Sequence, residues 1–276
     1  MIVSPFTPLF FNVPKSYGID GEYIQTFATT DRILIQLIAQ SDETIPEARI
    51  EAVDNMSGGF IVPLKSWKIN EHTKILFAEI SPSEGIYTLT IDSIGTCEPF
   101  RVTDKSMLLE NTTLIQYSMK NNRQRRDAAF FIDNVQYFFD WRVPGGFKDS
   151  NWSFSVESEQ FVTPYADISQ LYGLESTQKK FTLGGSDGVP IWFGEMLNRI
   201  LVCSHVYFDG VKYSRKESNT PEVTVQLEGV NAFVFNQTLQ RSVYLDPVLE
   251  EKNRLIMRRI DGANFRNIGN NNYRKI

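Results

Sequence analysis

The sequence predicts a mainly β fold. An immunoglobulin-like β-sandwich is expected over residues 1–105. An α+β domain, a sheet or barrel carrying a packed helix, is expected over 106–245, and a C-terminal helix with an extended basic arm over 246–276. Three observations predict this. Short alternating runs fill the first hundred positions, broken by turn clusters such as Ser41-Asp42-Glu43, Ser57-Gly58-Gly59 and Ser81-Pro82-Ser83-Glu84-Gly85. Aromatics reach 13% of the chain, with 20 Phe, and such side chains favour strands and interfaces. Helical spacing is confined to a few segments of the second half.

The expected strands of the first part are Tyr23 to Phe27, Ile33 to Ile38, Ala48 to Val53, Phe60 to Leu64, Ile75 to Ile80, Ile86 to Ile91 and Phe100 to Val102. Ile33 to Ile38 is almost continuously apolar, which predicts a central strand covered on both faces. In Gly85 to Ile91, alternation puts Tyr87, Leu89 and Ile91 on one face and Ile86, Thr88 and Thr90 on the other. A Tyr entering a late strand after a Gly turn resembles the corner tyrosine of immunoglobulin-like sandwiches.

A linker is expected around Asp104 to Asn111, after which Leu114 to Ser118 restarts strand character. Residues 121–127 form a polar loop with Arg123, Arg125 and Arg126, read first as a solvated hairpin tip and second as a contact to an acidic surface or nucleic acid. Phe130 to Ile132 and Val135 to Trp141 flank Asp133-Asn134 with more large apolar groups than one face buries, which implies cover on both faces or by a neighbouring subunit. Three helices are expected. The first follows the Thr163-Pro164 start signal and stops at Gly173; the second runs from about Pro190 to Val202 with Phe193, Met196, Leu197, Ile200 and Leu201 on one stripe; the third runs from Asp246-Pro247 to about Ile260. His205 to Tyr213 reads as a hairpin closed by Asp209-Gly210, because Asp-Gly accepts the positive φ angles of a type I′ turn. Val223 to Leu227 and Phe233 to Phe235 add strands.

Composition bounds function. Hydrophobic residues at 42% allow a packed core, and a net charge of −5 argues against a dedicated nucleic-acid binder. The apolar start is broken by prolines and lacks a basic n-region, and no run approaches the ~18 apolar residues of a membrane span, so a chain made in a reducing cytoplasm and without membrane contact is expected. Cys97 and Cys203 stand alone, which predicts two reduced thiols and neither a disulfide nor a zinc site. Gly184 to Gly188 precedes a helix but lacks the Gly-Lys-Ser/Thr end of a phosphate loop, so a turn-and-cap role is expected. Asp149, Glu157 and Glu159 near Trp141 and Trp152 are the nearest approach to a glycosidase pair, yet Glu157 and Glu159 share one strand face. With His72 and His205 the only histidines and no nucleophile motif present, no enzyme activity and no cofactor or metal are expected.

Four stretches carry a resemblance: Phe181 to Gly184, Gly188 to Phe193, Glu195 to Ile200, and Val206 to Tyr213. Across about 110–240 the chain resembles proteins encoded in the tail modules of bacteriophages and prophages of gut anaerobes. The resemblance implies a structural virion protein of the tail, a tail-tip, baseplate or ring component, assembled in the host bacterial cytoplasm. Its partners would be copies of itself in a symmetric ring and other tail or baseplate proteins. No catalytic residue is carried over.

Ring contacts need exposed edges, aromatic patches and terminal arms. The candidate interface residues are Phe6, Phe10 and Phe11 of a Pro-rich N-terminal arm, Arg123, Arg125 and Arg126 of the loop, and Trp141 and Trp152. Arg258, Arg259, Arg266, Tyr273 and Arg274 of the C-terminal arm complete the set. From Lys252 onward seven basic residues face one acidic residue, Asp261, and both arms are expected to order only in the assembly. A host-surface module binding glycan or protein through Trp67, Trp141 and Trp152 is the alternative, followed by a polysaccharide hydrolase.

Overall fold

The computed structural model describes residues 1–13, 23–53, 59–162, 164, 168–216, 222–227, 232–242, 257–260, 263–269 and 272–275. It is mainly β. Met1–Arg241 forms one compact unit and Ser242–Ile276 a second.

The first unit begins with β1 (Ile2–Val3), β2 (Gln25–Ala28), β3 (Ile33–Gln40), β4 (Ala48–Ala52), β5 (Phe60–Ile61), β6 (Lys65–Lys68), β7 (Thr73–Ile80), β8 (Gly85–Ile91), β9 (Gly95–Thr96) and β10 (Phe100–Thr103). These make two sheets, one ordered β1-β3-β7-β6 and one ordered β2-β10-β8-β4-β5, with β9 beside β8. Ile33, Ile35, Leu37, Leu76 and Ala78 of the first sheet share one core with Phe27, Ile50, Tyr87, Leu89, Ile91 and Phe100 of the second. The alternation expected in β8 holds, with Tyr87, Leu89 and Ile91 buried.

β3 has two covered faces, as its continuous apolar run predicts. Leu34 belongs to a second core, together with Ile75 and Phe77 of β7. Gln36, between them, is buried, and its side chain donates to the Ala129 carbonyl at 2.6 Å and accepts from the Ala129 N–H at 3.0 Å. The four-stranded sheet therefore serves both halves of the chain.

The linker holds the one-turn helix α1 (Ser106–Leu109). Beyond it come β11 (Thr112–Ser118), β12 (Phe131–Ile132), β13 (Val135–Gln136), β14 (Phe139–Val162), β15 (Ile168–Leu183), α2 (Ile191–Ile200), β16 (His205–Phe208), β17 (Val211–Arg215), β18 (Glu222–Leu227) and β19 (Ala232–Arg241). The order β15-β14-β11-β16-β17-β19 closes on itself, because β15 also pairs with β19, giving a ring of six antiparallel strands. Phe181, Phe208, Phe235, Leu239 and Trp141 fill its core, and α2 packs there through Phe193, Met196, Leu197 and Ile200. The Asp209-Gly210 turn has the positive φ angles its hairpin requires, as has Asp133-Asn134 between β12 and β13.

Two helix expectations are corrected. The segment expected to be helical from Thr163 to Gly173 lies in β15 from Ile168 on, paired with β14. Pro164 is a turn residue, Thr163 and residues 165–167 lie outside the described residues, and cross-strand pairing overrides the apolar spacing of Ile168, Leu171 and Tyr172. In the second unit, Met257–Ile260 is strand β20, which with β21 (Ala263–Gly269) and β22 (Asn272–Lys275) makes a three-stranded antiparallel sheet. Residues 246–256 of the expected third helix lie outside the described residues.

The N-terminal arm is also corrected. Phe6 is 1% exposed, edge-on to Phe130 at 5.3 Å, and its carbonyl accepts from the Tyr117 hydroxyl. Thr7 Oγ1 donates to the Gln36 carbonyl and accepts from the Gln36 N–H, both at 3.1 Å. Arg199 Nη1 donates to the Pro5 carbonyl at 3.1 Å. A segment so satisfied is part of the fold.

Candidate functional site

The longest element pair points away from the core. β14 pairs with β11 only over Phe139 to Pro144, and β15 pairs with β19 only over Thr177 to Leu183. Beyond these limits the two strands continue against each other alone, from the Ser155–Ser176 pair to the Val162–Ile168 pair. At about 3.4 Å per residue, residues 155–162 extend roughly 27 Å past the ring.

Alternation dictates what this ribbon presents. Trp152, Phe154 and Val156 recur at every second position, so they share one face, with Ser153 and Ser155 opposite. Val162 keeps the same parity along β14, the extra residue of the register shift being on β15, and Ile168 stands opposite it on that face. Phe154 is 74% exposed and Val156 63%, and Val162 and Ile168 are exposed as well. Trp152 stacks on Phe154 at 5.7 Å, and Lys179 Nζ sits 3.5 Å over the Trp152 ring. The order of the base is therefore set by an aromatic pair and a cation–π contact. Isolated two-stranded ribbons are marginal in water, and a row of exposed large apolar groups marks a contact surface.

The remaining candidate residues divide by burial. Trp141 is fully buried, its Nε1 3.0 Å from the Gln25 side-chain amide, so it cannot stack on a partner. Phe6 is sealed likewise; Phe10 lies 4.9 Å from Phe193, and Phe11 packs half-buried against the first core. Arg125 pairs with Asp127 and covers the Phe6 ring at 4.8 Å, whereas Arg123 and Arg126 are exposed. Trp67 packs half-buried on the second core. In the second unit, Arg258 stands opposite Phe265, Arg259 opposite Asn264, Arg266 opposite Met257 and Arg274, and Tyr273 opposite Asn267. Of the candidate residues in the first unit, Trp152 alone stands at the base of the ribbon.

Glu157 and Glu159 stand on the ribbon, opposite Leu174 and Tyr172. Burial pushes the Cys97 and Cys203 thiols up to about 12, so both stay protonated at neutral pH. Among the described residues no three His, Cys, Asp or Glu side chains gather into a metal-sized group. In the Gly184 to Gly188 loop two glycines answer to packing, since a Cβ on Gly184 would lie 2.7 Å from the Phe233 carbonyl and one on Gly188 2.9 Å from the Ala232 side chain, while Gly185 answers to its positive φ of 52°.

The ribbon itself was missed in the sequence. Its signal was the period-two run Trp152-Ser153-Phe154-Ser155-Val156, which points to a strand with one apolar face. Against known families, curated proteins and solved structures, the chain finds no match.

Proposed function

We propose that this protein is a structural building block of a bacteriophage tail, a tail-tip, baseplate or ring component that assembles through protein–protein contacts. The observation that carries the reading is the projecting β14–β15 ribbon, with Trp152 and Phe154 at its base and Val156, Val162 and Ile168 beyond, on one exposed face. Exposure of that many large apolar groups costs about 25 cal/mol for each Å² left in water, a cost removed when a neighbour covers them. The resemblance over 110–240 supplies the kind of assembly, and a ring closed by rotation needs only one such projecting element per copy. In this reading residues 1–105 are an immunoglobulin-like sandwich, supported by Tyr87, whose buried hydroxyl lies 3.2 Å from Ser83 Oγ at the start of β8.

Sedimentation and negative-stain imaging of the full chain test the proposal. The wild type should form closed oligomers as concentration rises. The double variant Phe154→Asp/Val156→Asp should stay monomeric with unchanged circular dichroism. A wild type that stays monomeric at every concentration, or a variant that assembles equally well, overturns the proposal.

A further inference from the structure

A groove of about 800 Å³ lies where the six-stranded ring meets the four-stranded sheet. Its floor is set by register. Gln116 of β11 stands opposite Asp140 of β14 on one side and Tyr207 of β16 on the other, so the three form a row across adjacent strands. Their chain neighbours Ile115, Tyr117, Trp141 and Phe208 are buried in the core, which turns this row outward.

The row is rigid and mixed in character. Asp140 is 5% exposed; its Oδ2 accepts from the Arg32 N–H at 3.0 Å and its Oδ1 from Gln116 Nε2 at 2.9 Å. A carboxylate offers about four lone-pair sites, so acceptor capacity remains on the side lining the groove. Phe138 and Tyr207 stand 6.0 Å apart at 62°, forming an aromatic corner beside it. Arg32 and Glu79 lie among the lining residues, adding one strong donor and one strong acceptor. Asp31 is already held by a bidentate pair with Arg142, at 2.7 and 2.9 Å, and so adds no open charge.

We propose that this groove is a saccharide-binding site that seats a pyranose ring. A sugar ring has an apolar C–H face, which suits an aromatic platform. It also has a rim of hydroxyls that each donate and accept, which suits a fixed carboxylate, an amide and a guanidinium side by side. An anion would meet the Asp140 carboxylate, and a cation would meet Arg32. The groove residues lie outside the ribbon, so this reading and the assembly reading can fail separately.

The test is ligand-observed saturation-transfer NMR on the full chain with maltotriose, cellotriose, mannotriose and tri-N-acetylchitotriose. At least one should receive transfer to its ring protons. Tyr207→Ala, at a half-buried side chain that leaves the fold in place, should weaken its binding at least tenfold, and Glu79→Gln should weaken it less. An unchanged melting temperature checks that each variant is folded. Absence of transfer to all four sugars overturns the proposal, as does binding that Tyr207→Ala leaves intact. Binding of N-acetylarginine amide in place of the sugars overturns it too, by assigning the groove to a cationic side chain.

Discussion

Phe6→Ala separates a folded-in N-terminal segment from an arm that orders only in an assembly. The ring is 1% exposed, wedged between Phe130 and Tyr117 with the Arg125 guanidinium above it. Removing a buried phenyl ring and leaving a cavity costs about 3–5 kcal/mol. In a unit of this size each kcal/mol moves the melting temperature by about 2–4 °C, so a fall of roughly 6–20 °C is expected. Urea unfolding of dilute monomer should show a lower midpoint at unchanged slope, since the surface exposed on unfolding barely alters. Phe154→Ala is the control: its ring is 74% exposed, and its removal should change stability by less than about 0.5 kcal/mol in the monomer. Loss of less than about 1 kcal/mol in Phe6→Ala would refute the reasoning and return the segment to the surface.

Gly194→Ala should lower stability by about 1–3 kcal/mol, because the new Cβ would lie 2.4 Å from the Phe235 ring and force α2 off β19; calorimetry checks it, and an unchanged melting temperature would mean the helix rides higher than described. Burial holds the Asp140 carboxyl above its ordinary value of 3.8, against the opposing hydrogen bonds from Arg32 and Gln116. Between 3.8 and the raised value the folded state therefore binds more protons than the unfolded state. The contribution of Asp140 to stability rises as pH falls through that window, is complete below 3.8, and is absent above the raised value. Carboxyl-carbon NMR titration should give a midpoint above 3.8, and one at or below it would mean that the hydrogen bonds from Arg32 and Gln116 outweigh burial.

Local pattern made legible what one strand or one turn decides. Tyr87, Leu89 and Ile91 point inward because alternation requires it, Asp209-Gly210 turns because its φ angles must be positive, and α2 buries the stripe that its spacing marks. What failed depended on distant partners. Thr163-Pro164 is as good a helix start as a hairpin tip, and only the pairing of Val162 with Ile168 decides between them. Trp141 and Phe6 read as exposed anchors because large aromatics suit interfaces and cores equally. Their burial is fixed by Gln25, Phe130 and Tyr117, residues up to 124 positions away in the chain. The groove was invisible for the same reason, since Asp140, Gln116 and Tyr207 meet only through register.

The same distant contacts explain where the molecule stays unfinished. The four-stranded sheet spends both faces, Ile35 and Leu76 on one core, Leu34 and Phe77 on the other, so the linker at Ser106–Leu109 ends a stretch of chain without ending a core. The N-terminal segment closes the remaining gap with Phe6, and the ring of strands is packed by its own aromatics. With these apolar groups consumed in the interior, the ribbon leaves Phe154 and Val156 in water. In the proposed assembly that cover comes from another molecule, and a second copy of the chain is always present at matching concentration.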